Sequence, residues 1–447
     1  MASRLFGTDG VRGRAGQPPI DSTTIARLGA ALARALPPSG PTHRVLIGRD
    51  TRESGPWIEG ELARGARSEG LYVTSAGVLP TPAIAYLTRS MEFDAGLVIS
   101  ASHNPYEDNG IKVFSGEGEK VDEDLERHVE ALIADASWQV GPPTGPPVEH
   151  RDFVSAYIAH ARTALTDVAA LRRLPLVLDC ANGATVTVAP RLFRELGFDV
   201  TAINCEPDGR NINLGCGSTH PALLAETVKV CGARAGIAFD GDGDRAILVD
   251  HAGGIVDGDA IMLMCARHLK RRGELRGHAV VATVMSNIGL ELGLRETGIQ
   301  MFRTPVGDKH VAAEIAARGL SIGGEQSGHV IFSDFLYTGD GIVTALNVLR
   351  VMAETGRDLA DLARELVTYP QVLVNVRVRE KRELAALPEV ARAMAAVEER
   401  LAGRGRLLVR YSGTEPLLRI MLEGSNQGEI EKWAREIAET VERHLGA

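Results

Sequence analysis

Three aspartates, Asp240, Asp242 and Asp244, alternate with glycine in one short segment, and Arg245 follows them. An apolar run, Ala235–Phe239, leads into the segment, and a second apolar run leads out of it. Glycine permits the backbone angles of a tight loop, so the three carboxylates can converge on one point. Carboxylates this close repel one another unless a cation lies between them, and hard cations such as Mg²⁺ prefer oxygen ligands. The segment therefore predicts a divalent metal site.

Three other interpretations of this segment compete with the metal site. A solvated acidic turn has the same composition. An EF-hand loop requires Gly at its sixth position and Glu at its twelfth, where this chain has Arg245 and His251. A dinucleotide fingerprint must open a helix toward a pyrophosphate, but here a strand follows and the carboxylates would repel the anion. The solvated turn stays open, whereas the other two are excluded.

A serine beside a histidine, Ser102 and His103, follows the apolar strand Gly96–Ile99 in a segment that ends at Pro105. Active sites of α/β proteins are usually built where such strands end. The pair suits a nucleophile or a phosphorylated serine, although a helix-capping serine with a surface histidine has the same pattern. Lys112 follows ten residues later and could reach the same pocket, but a single lysine beside a strand is more often exposed.

Two further loops carry groups suited to a phosphorylated sugar. The loop Gly323–His329 holds polar side chains, Glu325 and Ser327 among them, that can bind sugar hydroxyls. The turn Arg410–Pro416 follows an apolar strand; its Ser-Gly-Thr backbone can form an anion nest, and Arg410 with Arg419 can hold phosphate oxygens. No Walker sequence GxxxxGK[ST] occurs. A plain polar turn is the competing interpretation of each loop.

Three other turns, Gly7–Gly13, Gly48–Arg52 and Thr304–Lys309, each indicate a solvated turn when taken alone. The stronger loops combine a metal segment, a serine, a sugar-compatible loop and a phosphate nest. Phosphoryl transfer needs these parts, because its catalysis is mostly positioning and charge neutralisation. A phosphate on Ser102 could add oxygen ligands to a bound Mg²⁺.

Composition excludes several classes of protein. The 447 residues include 49 Lys and Arg against 58 Asp and Glu, a formal charge of −9, so a broad nucleic-acid footprint is not expected. Five cysteines form no CxxC pair, which favours reduced cytoplasmic thiols over disulfides or a zinc site. The amino terminus has no apolar secretory segment, and no run of 18 apolar residues exists, so no membrane association is expected.

Short apolar strands alternate with helical stretches rich in Ala, Leu and Arg, which predicts an α/β protein. A Pro- and Gly-rich linker at 141–147 ends a first domain, and softer breaks lie near 251–254 and 368–370. The tail reads as strand, helix, strand, strand, helix, which is α+β. The predicted domains are residues 1–150, 151–252, 253–368 and 369–447.

The four stronger loops resemble the four signatures of the α-D-phosphohexomutase superfamily, in its order and at its approximate spacing, over essentially the whole chain. Within the superfamily, the segment Phe6–Gly13 and the loop Gly324–His329 resemble the bacterial phosphoglucosamine mutase family. Phosphomannomutase/phosphoglucomutase members typically carry Met where Gln326 stands. Ser100 is the one departure, since many relatives have Thr there, and it keeps the hydroxyl.

The resemblance implies four domains around a central cleft, three similar α/β domains and a C-terminal α+β domain, each giving one loop. It makes Ser102 the phosphoserine carrier and gives one Mg²⁺ to Asp240, Asp242, Asp244 and that phosphoserine. Glu325 and Ser327 would bind sugar hydroxyls. The phosphate that is not transferred would be held by Arg410, Ser412, Gly413, Thr414 and Arg419. The reacting phosphate would be lined by Arg12, His103, Lys112, Arg245, Lys309 and His329.

The reaction implied is interconversion of glucosamine 6-phosphate and glucosamine 1-phosphate through a 1,6-bisphosphate, with glucosamine or glucose 1,6-bisphosphate as activator. Lys112 and His103 are both candidates for the base that takes the sugar proton. The resemblance further implies a cytoplasmic homodimer that supplies UDP-N-acetylglucosamine synthesis. The alternatives are a phosphomannomutase/phosphoglucomutase, a Mg²⁺-dependent sugar phosphatase, and a non-catalytic sugar-phosphate or metal-binding protein.

Overall fold

The computed structural model describes residues 5–7, 9–36, 43–167, 169–412 and 416–447. These residues form two compact units, one of Met1–Met285 with Thr297–Glu365 and one of Ser286–Glu296 with Leu366–Ala447. The first unit contains three β-sheets with helices packed on them, and the second contains one. The predicted domain limits stay a prediction.

The first sheet is built from the amino-terminal part of the chain. It has six strands in the order β1-β5-β4-β2-β3-β6, and its central strands β2, β3 and β4 are parallel. Its elements are β1 (Val11–Arg14), α1 (Ser22–Ala35), β2 (Arg44–Arg49), α2 (Gly55–Ser68), β3 (Tyr72–Val78), α3 (Thr81–Ser90), β4 (Ala95–Ile99), β5 (Asp108–Ser115), α4 (Glu123–Ala134) and β6 (Glu149–His150).

The second sheet has five strands in the order β11-β10-β9-β7-β8, with β7 parallel to both of its neighbours. Strands β9 and β10 form an antiparallel pair in which Phe239 lies opposite Ala246, so the aspartate segment is the turn of a hairpin. The elements are α5 (Val154–Ala161), β7 (Pro175–Asp179), α6 (Ala189–Glu195), β8 (Asp199–Ile203), α7 (Ala222–Cys231), β9 (Ala235–Phe239), β10 (Ala246–Asp250) and β11 (Ile255–Val256).

The third sheet has four strands in the order β13-β12-β14-β15. Its first helix, α8, begins at the capping residue Asp257, whose carboxylate accepts a hydrogen bond from the Ala260 amide. The elements of the first unit here are α8 (Gly258–Arg272), β12 (Ala279–Thr283), β13 (Gln300–Thr304), α10 (Asp308–Arg318), β14 (Ile322–Gly324), β15 (Val330–Phe332), α11 (Gly341–Thr355) and α12 (Leu359–Ala363), while α9 (Ile288–Glu296) belongs to the second unit.

The second unit has an antiparallel sheet in the order β16-β18-β17. Its core joins apolar side chains of the sheet, Ile420 and Leu422 among them, to Ile430 and Ile437 of the last helix. The elements that follow α12 are β16 (Gln371–Arg377), α13 (Pro388–Leu401), β17 (Arg406–Tyr411), β18 (Leu417–Glu423) and α14 (Gln427–Leu445). Strand, helix, strand, strand and helix is the order that the sequence predicts.

Candidate active site

Ser102 lies in the loop after β4, buried and in the left-handed backbone region with φ of 51°. Its hydroxyl donates to Asp240 Oδ2 at 2.5 Å, and the His103 Nδ1 atom is 3.3 Å from Ser102 Oγ. A positive φ is uncommon for serine and needs support from the surrounding structure. The structure thus brings together the serine and the aspartate segment, which are 138 positions apart in the chain.

The support for this loop comes from a buried ion pair that the sequence did not reveal. Arg52 donates to Asp50 at 2.9 Å and to the backbone carbonyls of Ser102, Asn104 and Pro105 at 2.9, 2.9 and 2.6 Å. Both partners of the pair have fully buried side chains. The prediction of a solvated turn at Gly48–Arg52 is therefore wrong, because charged groups can be buried when every donor finds an acceptor.

Ser100 connects the ion pair to the serine. Its hydroxyl donates to Asp50 Oδ2 at 2.6 Å and accepts from the Ser102 amide at 2.9 Å. Both contacts use the hydroxyl, which Ser and Thr share, so having Ser100 where many relatives have Thr leaves both contacts intact.

The three aspartates of the hairpin turn are buried and converge. One carboxylate oxygen of each lies within 4.8 Å of the others. The Oδ1 atoms of Asp242 and Asp244 are buried without a hydrogen-bond partner among the described residues. Buried carboxylate oxygens without donors are unfavourable unless a cation takes them. The solvated-turn alternative is therefore wrong, and this donor set fits a hard divalent cation.

Lys112 extends into the same cluster from β5. Its ammonium group donates to Asp242 Oδ2 at 2.8 Å and to Asp244 Oδ2 at 2.9 Å, and lies 3.3 Å from Asp9. Burial acts against its charge, yet these carboxylates hold the pKa of Lys112 well above its usual range. The side chain is 2% exposed, so the expectation of an exposed lysine is wrong.

The aspartates differ in their affinity for protons. Burial, with Asp244 and Asp242 adding repulsion, raises the pKa of Asp240 well above its usual value. Burial also opposes the ionised form of Asp244, but Lys112, His329 and Arg245 lower its pKa to about 2. The carboxylates of this cluster therefore repel one another, and this repulsion favours binding of a cation.

A cavity of about 500 Å³ lies beside the serine and the aspartates. Its wall includes predicted residues from three parts of the first unit: Arg12, His103, Asp244, Arg245, Glu325 and His329. Burial, together with Arg245 and Arg12, lowers the pKa of His103 to about 4, so its imidazole is neutral near pH 7. Cations and a neutral imidazole facing one cavity suit an anionic substrate.

The cavity wall also includes Asp9 and Asp308, which the sequence analysis did not select. Lys120 donates to both of them and is largely buried. The segments Gly7–Gly13 and Thr304–Lys309, predicted to be solvated turns, are therefore joined at the site through this lysine. Asp9 and Asp308 are recognised as site residues through their shared partner Lys120, which is distant from both in the chain.

Lys309 and the residues of the loop Gly323–His329 differ in their contacts. Lys309 is outside the lining of the cavity and pairs with Glu126 at 3.2 Å. Ser327 is exposed, and its hydroxyl donates to Glu325 Oε2 at 3.4 Å. His329 is buried, with Nε2 3.6 Å from Asp308 Oδ2. Gln326 donates to Asp257 Oδ2 at 3.1 Å, so its amide links this loop to the cap of α8.

In the second unit, Arg410 and Arg419 lie directly opposite each other on β17 and β18, and Asn375 of β16 lies next to Arg419. Like charges opposite one another destabilise a sheet, so this arrangement suits a site for an anion. Ser412 follows β17, and its backbone carbonyl accepts from Lys381 at 2.6 Å. Gly413 and Thr414 lie outside the described residues.

None of the helices in the described part of the chain combines the length and apolar character that a bilayer crossing requires.

Four family models match the chain, all of phosphoglucomutase/phosphomannomutase. Alpha/beta/alpha domains I, II and III match residues 3–140, 155–254 and 257–369, and the C-terminal domain matches residues 373–440. Together they confirm the predicted four-domain α/β architecture.

Curated relatives match along their full length. A phosphoglucosamine mutase of Syntrophotalea carbinolica is 48% identical over 451 residues, which cover 100% of this chain and 99% of the relative. A phosphoglucosamine mutase of Solibacter usitatus is 47% identical, with 100% of each chain covered.

Solved structures share the fold. A phosphoglucomutase/phosphomannomutase family protein from Burkholderia thailandensis has a TM-score of 0.81 at 26% identity, covering 99% of this chain and 98% of its own. The Aspergillus fumigatus N-acetylphosphoglucosamine mutase, solved with GlcNAc-6P and magnesium, has a TM-score of 0.66 at 18% identity, covering 98% and 95%. The chain is therefore an isomerase of the α-D-phosphohexomutase superfamily and belongs to its phosphoglucosamine mutase family.

Proposed function

We propose that this chain interconverts glucosamine 6-phosphate and glucosamine 1-phosphate, with Ser102 as the phosphoryl carrier. The observation that carries the proposal is the buried Ser102 hydroxyl, 2.5 Å from Asp240 within a cluster of three aspartates. A hydroxyl held beside a cation site, next to a histidine that lines a cavity with basic groups, has the surroundings that phosphoryl transfer requires.

Asp240, Asp242 and Asp244 would hold one Mg²⁺, and the phosphate on Ser102 would complete its ligands. The two carboxylate oxygens without hydrogen-bond partners support this assignment. Bound there, Mg²⁺ supplies electrostatic stabilisation of the charge that develops on the transferring phosphoryl group.

The reaction would proceed in two transfers. The phosphoryl group leaves the Ser102 oxygen and bonds to the sugar O1, whose proton goes to a base, and this yields the 1,6-bisphosphate. After the bisphosphate turns over, its 6-phosphoryl group bonds to the Ser102 oxygen, and the sugar O6 takes a proton. Free glucosamine or glucose 1,6-bisphosphate would activate the enzyme by phosphorylating Ser102.

The hydrogen bonds of Lys112 and His103 support His103 as the base. The Lys112 ammonium group donates to Asp242 and Asp244 and so lacks a free lone pair. His103 faces the cavity, with Nδ1 3.3 Å from Ser102 Oγ. We therefore assign proton transfer to His103 and assign charge neutralisation to Lys112.

The other polar groups would bind the substrate. Glu325 and Ser327 would bind sugar hydroxyls, and Arg12, Arg245, Lys309 and His329 would surround the reacting phosphate. The phosphate that is not transferred would bind to Arg410, Ser412, Gly413, Thr414 and Arg419. The facing arginines on β17 and β18 support this last assignment.

The remaining parts of the proposal rest on the family. Glucosamine is favoured over glucose or mannose because the full-length relatives are phosphoglucosamine mutases. The enzyme would act as a cytoplasmic homodimer that supplies UDP-N-acetylglucosamine synthesis. Its domains would be residues 1–150, 151–252, 253–368 and 369–447.

The test is ³¹P NMR of the protein with Mg²⁺, a trace of glucose 1,6-bisphosphate, and the 6-phosphates of glucosamine, glucose and mannose in parallel. We expect a 1-phosphate signal to grow fastest from glucosamine 6-phosphate, and no turnover from Ser102→Ala. Faster conversion of another sugar would overturn the substrate, and release of free phosphate alone would indicate a phosphatase. Normal turnover by the Ser102→Ala variant would overturn the mechanism.

A further inference from the structure

Asn213 lies in the segment between β8 and α7, far along the chain from the serine that it contacts. Its side-chain amide donates to the backbone carbonyl of Ser102 at 2.9 Å and to that of Asn104 at 3.3 Å. The residue is 7% exposed, has φ of 58°, and is fixed by a hydrogen bond from its own amide to the Ala181 carbonyl at 2.9 Å. Asparagine is one of the few residue types that accept this backbone conformation.

The same two carbonyls also accept from Arg52, which holds them at 2.9 Å. A carbonyl oxygen has two lone pairs. Arg52, from the segment between β2 and α2, and Asn213, from the segment between β8 and α7, therefore each donate to both carbonyls. Without Asn213, the segment after β8 would lose its side-chain donor to these carbonyls.

Asn213 also adjoins the aspartate segment. A Cβ atom placed on Gly241 would lie 2.7 Å from the Asn213 Nδ2 atom and 2.5 Å from the Ser102 carbonyl oxygen. The asparagine amide, the serine backbone and the segment with the three aspartates therefore meet at one point with no spare space.

We propose that Asn213 is a positioning residue that fixes the Ser102 loop against the Asp240–Asp244 segment and so sets the direction in which Ser102 presents its phosphoryl group. The inference rests on the proposed role of Ser102 as carrier. Asn213 is not among the groups proposed to touch the sugar, so its effect belongs to the transfer step rather than to substrate binding.

Loss of the amide would leave Arg52 as the side-chain donor that holds the carbonyls of Ser102, with its unfavourable φ, and Asn104. A small displacement of a reacting group lowers rates steeply, by roughly a hundredfold for about 1 Å. We therefore expect kcat to fall tenfold or more, whereas KM for glucosamine 6-phosphate changes less than about threefold, because Glu325 and the phosphate-binding groups are not affected.

The experiment uses Asn213→Gly and Asn213→Asp, because both residue types accept a positive φ. Asn211→Asp is the matched control: its amide donates to the Glu206 carbonyl at 2.9 Å in the same segment. For each variant, we would measure kcat, KM, the thermal midpoint and the ³¹P signal of the phosphoserine. We expect both Asn213 variants to lose kcat and to shift or broaden this signal, while Asn211→Asp keeps wild-type values.

Wild-type kcat in either folded Asn213 variant, or an equal loss in Asn211→Asp, would overturn the inference. If Asn213→Asp melts below the assay temperature, kcat, KM and the ³¹P signal of Asn213→Gly and Asn213→Ser test the inference instead. Ser102→Ala separates the two proposals: an inactive Ser102→Ala with fully active Asn213 variants refutes the positioning role alone. Turnover by Ser102→Ala would refute the carrier, and the positioning role with it.

Discussion

Replacing Lys112 with Met tests whether the aspartate cluster holds a large unbalanced charge. The ammonium group lies 2.8 and 2.9 Å from two carboxylates and 3.3 Å from a third, with 2% of the side chain exposed. Each attraction is on the order of 6 kcal/mol at an effective dielectric constant of about 20. Desolvation of the charges opposes most of this, and breaking a buried pair costs about 3–5 kcal/mol net. We expect Lys112→Met to lower the free energy of unfolding, measured in EDTA, by about 3–5 kcal/mol.

Mg²⁺ provides the discriminating measurement. A divalent cation that binds the folded state stabilises it, and it would relieve more repulsion in the variant than in the wild type. Urea unfolding of both proteins with EDTA and with Mg²⁺ should therefore give a larger Mg²⁺ effect for Lys112→Met. Lys309→Met is the control, because Lys309 pairs with Glu126 rather than with the aspartates. A Lys112→Met protein as stable as the wild type in EDTA, or equal Mg²⁺ effects, would refute the reasoning.

Three further predictions follow from single contacts. Gly241→Ala should lower stability by about 1–3 kcal/mol and lower kcat, because its Cβ would overlap the Ser102 carbonyl, whereas Gly60→Ala, with open space around it, should be neutral or stabilising. Arg410→Ala should raise KM for the sugar phosphate about tenfold through loss of a charge-assisted contact, and an unchanged KM would contradict the nest. Burial raises the pKa of Asp340 to about 6, so the folded state binds protons more tightly than the unfolded chain. As pH rises from 4 to 7, the free energy of unfolding of the wild type should fall by up to about 3 kcal/mol through this group. Urea unfolding of Asp340→Asn over the same pH range should show no such fall.

Elements that follow from a continuous apolar run or from a clear alternation of apolar strands and helical stretches could be predicted from the sequence. The strand Ala235–Phe239 has the limits of the apolar run that predicts it, and the elements of the C-terminal part follow the predicted order. The assignment of Ser286–Glu296 to the second unit could not be predicted, because it depends on contacts with residues far along the chain, such as the hydrogen bond from the Asn287 side-chain amide to the Tyr369 carbonyl.

The site was predictable where one loop carries several functional groups in sequence. The aspartates and Ser102 satisfy this condition, and the structure brings Ser102 within hydrogen-bonding distance of Asp240. Arg52 and Lys120 do not, because the partners that bury them are contributed by other loops. Arg52 bonds to carbonyls about 50 positions away, and Lys120 bonds to Asp308, 188 positions away. Composition of a short turn contains no information about such partners.

The charges in the cluster support the proposal that a phosphorylated serine and a divalent cation are held together there. Three aspartates face Lys112 and Arg245, and burial, together with repulsion from Asp244 and Asp242, raises the pKa of Asp240. A phosphate on Ser102 would add a charge of about −1.5 to −2 near pH 7. The protein offers no further buried cation within bonding distance of Asp240 among the described contacts, so phosphorylation increases the need for Mg²⁺. Mg²⁺ affinity should therefore be higher for the phosphorylated protein than for the dephosphorylated one, and calorimetric titration of the two forms measures the difference; equal affinities would argue that the serine phosphate is not a ligand.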